Sequence, residues 1–207
     1  MSTSATGSGY WTDEKLFVIN FKSRARKVYV IDNEQYQEYF SSTSEPGNVR
    51  LMVWGCFSLQ HGLAPLVIMR GKQNSSAYIA RLKLYKPWFT LHTAESGVKP
   101  VFMQDNCGYH ASMQSLEFLA DFLDSIGFNI ASWPSRSPDF NPIELLWADL
   151  QRLVVRRAES IRSQDDLEAA ISDAVMECST PEKLEGYVRH AISNMQKSYE
   201  IEGGMKY

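Results

Sequence analysis

Residues 133–147 read WPSRSPDFNPIELLW and join two different kinds of sequence. The part up to Phe140 is rich in proline and serine, which is typical of a loop. Pro142 follows Asn141, and proline is favoured at the first position of a helix because its ring fixes the backbone there. Apolar residues then recur at the spacing of one helix face, at Ile143, Leu146, Trp147, Leu150 and Val154. The stretch predicts a loop that leads into an amphipathic helix.

Upstream of this stretch, short apolar runs alternate with helical patterns. Residues 101–104 (VFMQ) and 128–131 (FNIA) predict strands, and residues 112–126 between them predict a helix that ends at Gly127. Residues 75–92 carry another helical pattern, which Pro87 is expected to kink or break. Strands that alternate with helices are typical of an α/β sheet.

The first 70 residues are mostly strands, and the last 45 are mostly helical. Short β-rich runs at 16–21, 28–31, 49–57 and 66–69 have short connections, which favour antiparallel pairing. Two C-terminal helices are predicted at 164–178 and 181–199, with Ser163 and Thr180 as their N-caps. The pattern therefore predicts an α/β sheet with a helical tail.

Composition limits the classes of protein that the chain can represent. Its 207 residues carry 21 Lys and Arg against 24 Asp and Glu, and 44% are apolar, which excludes wholesale disorder. No apolar run approaches the ~18 residues of a membrane span, so we expect no membrane partner. Cys56, Cys107 and Cys178 fit neither a disulfide framework nor a Cys-x-x-Cys metal motif, which favours a reducing compartment. The net charge of -3 means that any nucleic-acid binding must depend on local basic patches or on chemistry.

Three carboxylates lie at the ends of predicted elements. Asp13 lies just before or at the start of the first strand, Asp105 follows the strand at 101–104, and Glu144 lies in the first turn of the helix after Pro142. Open α/β folds place functional groups at such ends. Three carboxylates brought together need a cation, and all-oxygen ligands suit Mg²⁺ or Mn²⁺. Two such ions can support phosphoryl transfer.

Each of these carboxylates also has a purely structural interpretation. Asp13 can be an exposed residue before a strand, and Asp105 with Asn106 can form an Asx turn. Asn141 and Glu144 have the spacing of a capping box, in which the Glu side chain bonds back to the cap amide. Composition and spacing leave both interpretations open for all three residues.

Five segments in the same order resemble the mariner-type transposases of the DDE/D superfamily. Residues 133–147 resemble the third catalytic block of that family, residues 103–110 (MQDNCGYH) the second, and residues 12–15 (TDEK) the first. Residues 52–58 (MVWGCFS) and the ending 203–207 (GGMKY) are also similar to the family. The resemblance implies a cut-and-paste DNA transposase.

The resemblance also implies a fold and a division of the chain. It implies an RNase H-like fold, with a mixed five-stranded sheet flanked by helices and a C-terminal helical extension. Residues 1–9 are small, polar and rich in Gly and Ser, so we expect a flexible leader or an expression scar there. The resemblance implies that residues 10–160 are the catalytic domain and that residues 161–207 are a helical extension packed on the same domain. The chain departs from the family at Cys107 and Gly108, where a small residue and proline are usual.

On the family pattern, Asp13, Asp105 and Glu144 form the catalytic and metal-binding triad. The resemblance implies that Mg²⁺ or Mn²⁺, with two ions in the active complex, supports DNA strand cleavage and strand transfer at transposon ends. Asn106 and His110 lie close to Asp105 in the sequence. We expect them to support the metal ligands through hydrogen bonds or to contact a phosphate.

The expected partner is DNA, at both the transposon ends and the target. A dense basic cluster is expected to contact phosphate and consists of Lys22, Arg24, Arg26 and Lys27. The family normally carries N-terminal helix-turn-helix modules, so the chain is expected to be the catalytic half of a longer protein. We further expect a homodimer when the protein is assembled on DNA, and a nuclear location.

The alternative is a domesticated transposase that serves as a DNA- or protein-binding scaffold without transposition activity. Its protein partner would bind the acidic C-terminal helices, whose carboxylates are Asp165, Asp166, Glu168, Asp173, Glu177, Glu182 and Glu185. The intact triad favours the active enzyme.

Overall fold

The computed structural model describes residues 8–19, 48–90, 99–132 and 137–200. The strand predicted at 28–31 and the basic cluster at 22–27 lie outside these residues, as do the first part of the 133–147 stretch and the GGMKY ending.

A mixed sheet forms the centre of the fold. The described strands are β1 (Gly9–Ile19), β2 (Val49–Ser58), β3 (Gly62–Leu63), β4 (Val67–Met69), β5 (Val101–Met103) and β6 (Asn129–Ile130). Strand β2 pairs antiparallel with β1, β3 and β4. Strand β5 runs parallel to β1, and β6 runs parallel to β5. The antiparallel pairing predicted for the first 70 residues is therefore confirmed for the described strands.

The six described strands fill five positions in the sheet. Strand β1 pairs with β2 from Tyr10–Ser58 to Ile19–Val49 and so occupies one whole edge of β2. Strands β3 and β4 share the other edge, where β3 pairs with Phe57 and Ser58 and β4 pairs with Met52 to Trp54. The architecture agrees with the expected mixed sheet flanked by helices.

Five α-helices surround the described sheet. They are α1 (Ser75–Thr90), α2 (Met113–Ser125), α3 (Ile143–Arg156), α4 (Gln164–Cys178) and α5 (Pro181–Glu200). The predicted break at Pro87 is wrong, because α1 continues through it to Thr90. Pro87 lies in the last turn, where proline interrupts little of the helix, and Phe89 beyond it is fully buried among aromatic rings.

Each face of the sheet carries its own hydrophobic core, because successive residues of a strand point to opposite faces. Tyr10 belongs to the core beneath α1 and α2, whereas Trp11 belongs to the core beneath α3, α4 and α5. Ile171 of α4 and Val188 of α5 are buried in this second core. The C-terminal helices therefore pack on the same sheet as α3. Within the described ranges, no helix has the length and apolar character needed to cross a membrane.

Candidate active site

Asp13 lies in the interior of β1, not at its start as the sequence predicted. The strand begins earlier because residues assigned to the leader join the sheet: Gly9 pairs with Val101 of β5, and Ser8 O accepts a hydrogen bond of 2.9 Å from Val101 N. A polar run such as Thr-Asp-Glu-Lys has no strong β propensity. It becomes a strand here because β2 pairs with it along its whole length.

Thr12 links the three elements that carry the predicted triad. Its hydroxyl donates a buried hydrogen bond of 2.7 Å to the carbonyl of Met103, the last residue of β5. Its own carbonyl accepts a bond of 3.3 Å from the side-chain amide of Asn141, at the start of α3. The residue before Asp13 is therefore tied both to the segment that holds Asp105 and to the helix that holds Glu144.

Asp13 and Glu144 lie close enough for their charges to interact. Burial and the nearby negative charge of Glu144 raise the pKa of Asp13 from 3.8 to about 7. The indole Nε1 of Trp147, on α3, donates a bond of 2.9 Å to Asp13 Oδ2 and fixes the orientation of the carboxylate. Gly55 lies opposite Asp13 on β2 and leaves room for this ring, because a Cβ there would be 2.7 Å from Trp147 Cη2.

The capping box that the spacing of Asn141 and Glu144 allowed does not form. The described N-cap of α3 is Pro142, and this helix end has no side-chain cap. The Asn141 side chain instead bonds to Thr12, and its Oδ1 accepts a bond of 3.4 Å from Ile143 N. The backbone N–H of Asn141, which a capping box would offer to Glu144, instead donates a bond of 2.8 Å to the carbonyl of Pro138. The structure therefore supports the interpretation of Glu144 as a neighbour of Asp13.

Asp105 follows the end of β5, the strand that pairs in parallel with β1. The last pair between β1 and β5 is Trp11 with Met103, and Asp13 and Asp105 each lie two residues further along. Asp105 Oδ1 accepts a bond of 3.1 Å from Cys107 N, which is the predicted Asx turn. The side chain is still 51% exposed, so the turn leaves the carboxylate accessible to a ligand.

His110 is buried behind Asp105. Its Nδ1 lies 2.7 Å from Asp105 Oδ1, and its Nε2 lies 3.4 Å from Glu14 Oε1. Burial disfavours the imidazolium, but the bonds to Asp105, Cys107 and Glu14 outweigh it and raise the pKa of His110 to about 11. The bond from His110 in turn lowers the pKa of Asp105. Asn106 is exposed in the turn next to Asp105.

Among the described residues, Asp13 and Glu144 form one group of possible metal ligands, and Asp105, Cys107 and His110 form another. Asp13 and Glu144 supply carboxylate oxygens, which suit Mg²⁺ and Mn²⁺, and a cation between them would relieve the repulsion that helps to raise the pKa of Asp13. Within the described residues, Asp105 does not join these two carboxylates in one ligand group. Asp105, Cys107 and His110 bring an oxygen, a sulfur and a nitrogen within 4.8 Å of one another. That mixed set suits softer ions such as Zn²⁺.

Sequence reasoning missed four residues that shape this site: Thr12, Glu14, Arg81 and Trp147. Their partners are 67 to 134 residues away in the chain, so local spacing contains no signal for the contacts. The alternation of side chains along a strand does predict one part of the site. Asp13 and Glu14 are neighbours in one strand, so they must face opposite sides of the sheet.

Asp13 with Glu144 beside it, and Asp105 after the neighbouring strand, define a candidate site for metal-dependent phosphoryl transfer on this mixed α/β sheet. The comparisons identify the family: residues 10–168 match the family described as DDE superfamily endonuclease. The chain belongs to that family.

Individual relatives agree with this assignment. The transposase of the transposable element Tcb1 from Caenorhabditis briggsae is 34% identical over 164 residues, which cover 77% of this chain and 57% of the relative. The chain spans about half the length of the transposases it matches. Its fold is similar to the Mos1 transposase catalytic domain solved with Raltegravir and Mg (TM-score 0.67, 14% identity, 99% of this chain and 88% of that chain). It is also similar to the Mos1 mariner paired end complex with Mn, with a TM-score of 0.68 and 14% identity over 97% of this chain and 57% of that chain.

Proposed function

We propose that the chain is the catalytic part of a cut-and-paste DNA transposase, which cleaves DNA at transposon ends and transfers the cut strand to a target. The observation that carries the proposal is the burial of Asp13 and its electrostatic interaction with Glu144, which together raise the pKa of Asp13, with Asp105 just beyond the neighbouring strand β5. Membership of the DDE superfamily endonuclease family and similarity to transposases support it.

In this proposal Asp13, Asp105 and Glu144 hold two divalent cations, Mg²⁺ or Mn²⁺. The bound ions supply activation of the attacking water or 3′-hydroxyl and stabilisation of charge at the scissile phosphate. The Mos1 structures solved with Mg and with Mn support the choice of ion. The chain's own residues prepare the ligands, because Trp147 orients Asp13 and His110 orients Asp105.

The proposed substrate is double-stranded DNA, and the proposed assembly on it is a homodimer in the nucleus. Similarity to a paired end complex supports a DNA-bound assembly. The basic cluster would neutralise phosphates through Lys22, Arg24, Arg26 and Lys27. The acidic faces of α4 and α5 are the proposed surface for a protein partner.

The basic cluster can be tested through the salt dependence of DNA binding. Replacing all four basic residues with alanine should lower the slope of log affinity against log salt by about 3 to 4, since each phosphate contact contributes about 0.9. Affinity would be measured by fluorescence anisotropy on a DNA duplex at several salt concentrations. An unchanged slope would contradict phosphate contact by the cluster.

The catalytic assignment can be tested by nicking of supercoiled plasmid DNA in Mg²⁺ or Mn²⁺. Asp13→Ala, Asp105→Ala and Glu144→Ala should each abolish nicking, and a chelator should abolish it in the parent protein. Asp139→Ala is the matched control, because Asp139 lies in the short turn of Pro138–Phe140 just before α3. Loss of nicking in the control, with nicking retained in Glu144→Ala, would overturn the assignment.

A further inference from the structure

Glu14 lies directly after Asp13 but on the other face of the sheet. Successive side chains of a strand point to opposite faces, so Glu14 faces α1 and α2 whereas Asp13 faces α3. The Glu14 side chain is only 10% exposed. A carboxylate so deeply buried needs charged or hydrogen-bonding partners.

Two cationic side chains meet Glu14 on that face. Arg81 Nη2 of α1 and His110 Nε2 both lie 3.4 Å from Glu14 Oε1, and their side chains are 8% and 2% exposed. Arg81 has a second anchor, because its Nη1 donates a bond of 2.6 Å to Gln73 Oε1. The arginine is therefore held from two sides and fixes the position of the Glu14 carboxylate.

His110 bridges Glu14 and Asp105. Its Nε2 faces Glu14, and its Nδ1 bonds to Asp105 Oδ1 at 2.7 Å. Two aromatic rings restrict the imidazole, with centroids 4.4 Å away for Tyr78 and 4.6 Å away for Tyr109. A histidine whose two ring nitrogens both face carboxylates has one preferred orientation, and that orientation determines where the Asp105 carboxylate lies.

We infer that Glu14 is a positioning residue for Asp105, which acts through His110 and is itself held in place by Arg81. The inference rests on the proposed function, in which Asp105 is a metal ligand. A second explanation would give Glu14 only the structural task of neutralising buried Arg81. The two explanations differ in one measurable respect, because only the first makes the affinity of the Asp105 site for a metal depend on Glu14 through His110.

The test is a double-mutant cycle on Mn²⁺ affinity, measured by titration calorimetry on the 207-residue chain. Glu14→Gln and His110→Gln should each weaken Mn²⁺ binding by about 10-fold to 100-fold, the usual effect of removing a partner of a metal ligand. The double variant should bind no more weakly than His110→Gln alone, because both changes interrupt the same connection. Glu177→Gln is the matched control, since it breaks the Arg157–Glu177 pair of 2.6 Å, and it should bind as the parent does.

The inference would be overturned if the losses of Mn²⁺ affinity from Glu14→Gln and His110→Gln added up in the double variant. It would also be overturned if Glu14→Gln bound Mn²⁺ with the parental affinity. If Glu14→Gln alone does not fold, because Arg81 is left as an unpaired buried charge, Glu14→Gln/Arg81→Gln removes both charges and should show the same loss of affinity. Parental affinity in that variant would also overturn it.

Failure of the proposed function gives a different result. Asp105→Asn would then bind Mn²⁺ as the parent does, while the ¹⁵N shifts of the His110 ring would still change on Glu14→Gln. Ring shifts that do not respond to Glu14→Gln would overturn the inference itself, whatever the metal data.

Discussion

The raised pKa of Asp13 predicts that its removal stabilises the metal-free protein. The folded state holds a proton on Asp13 up to about pH 7, whereas the unfolded chain releases it near 3.8. The folded state therefore binds more protons between these values, so the stability of the fold falls as pH rises from about 4 to 7 and then levels off. At pH 8 the ionised carboxylate destabilises the fold by about 4 kcal/mol, at about 1.4 kcal/mol for each tenfold change in proton affinity.

Asp13→Asn removes this penalty and keeps an oxygen that can accept the bond from Trp147 Nε1. Its buried amide group costs about 1 to 3 kcal/mol if it finds no partner, which leaves a net gain of about 1 to 3 kcal/mol at pH 8. The cost of burying the amide is the same at every pH, so it does not affect how the difference in free energy of unfolding between variant and parent changes with pH. That difference should change by about 4 kcal/mol between pH 4 and pH 8.

The assay is urea unfolding followed by tryptophan fluorescence, with a chelator present, at a series of pH values. Asp124→Asn, an exposed position on α2, is the control, and its free energy of unfolding should follow the parent across the range. A difference between Asp13→Asn and the parent that stays within about 1 kcal/mol from pH 4 to pH 8 would refute the burial of Asp13 beside Glu144. Excess Mg²⁺ should reduce the difference, because a cation stabilises the ionised parent.

Three further substitutions test the construction of the site. Glu144→Gln should abolish nicking and weaken Mn²⁺ binding with little change in stability, and nicking at the parental rate in Mg²⁺ would contradict its role as a ligand. Gly55→Ala should destabilise the fold by about 1 to 3 kcal/mol, measured by urea unfolding, because the new methyl group would lie 2.7 Å from Trp147 Cη2; parental stability would show that the indole can shift freely. Thr12→Val should cost about 1 to 3 kcal/mol by leaving the buried Met103 carbonyl unpaired. Thr12→Ser should retain most of that stability, and equal losses in the two variants would assign the effect to packing.

The parts of the fold that sequence predicted well are those with strong local signals. The start of α3 followed from Asn141 and Pro142. Helix α4 begins after Ser163, the predicted N-cap, which also forms a capping box with Asp166. The strand before Asp105 was short and apolar and was correctly placed. In each case the signal lies within a few residues of the element, where propensity and capping operate.

The interior of β1 could not be predicted in the same way. The run Thr12–Lys15 is polar and has no apolar alternation, so its strand character depends on pairing with β2, which lies far away in the chain. The same limit applies to Glu144. Local spacing suggested a capping box with Asn141, but the backbone N–H of Asn141 bonds to the carbonyl of Pro138, and its side-chain amide bonds to Thr12, 129 residues away.

The triad was predicted from family resemblance and not from physical reasoning about spacing. The structure adds the contacts that hold these residues, from Trp147 to Asp13 and from His110 to Asp105, and the bonds of Thr12 that join their elements. Long-range hydrogen bonds of this kind are specified by the whole fold, so a single sequence does not reveal them.

The central claim is that Asp13, Asp105 and Glu144 form one divalent-metal site. Anomalous diffraction from crystals of the chain soaked in Mn²⁺ tests it most directly, because the anomalous peaks locate the ion without assumptions about activity. We predict peaks in contact with the carboxylates of all three residues, and their loss in Glu144→Gln. Peaks confined to the Asp105, Cys107 and His110 group, or peaks that leave Asp13 and Glu144 without contact, would contradict the account.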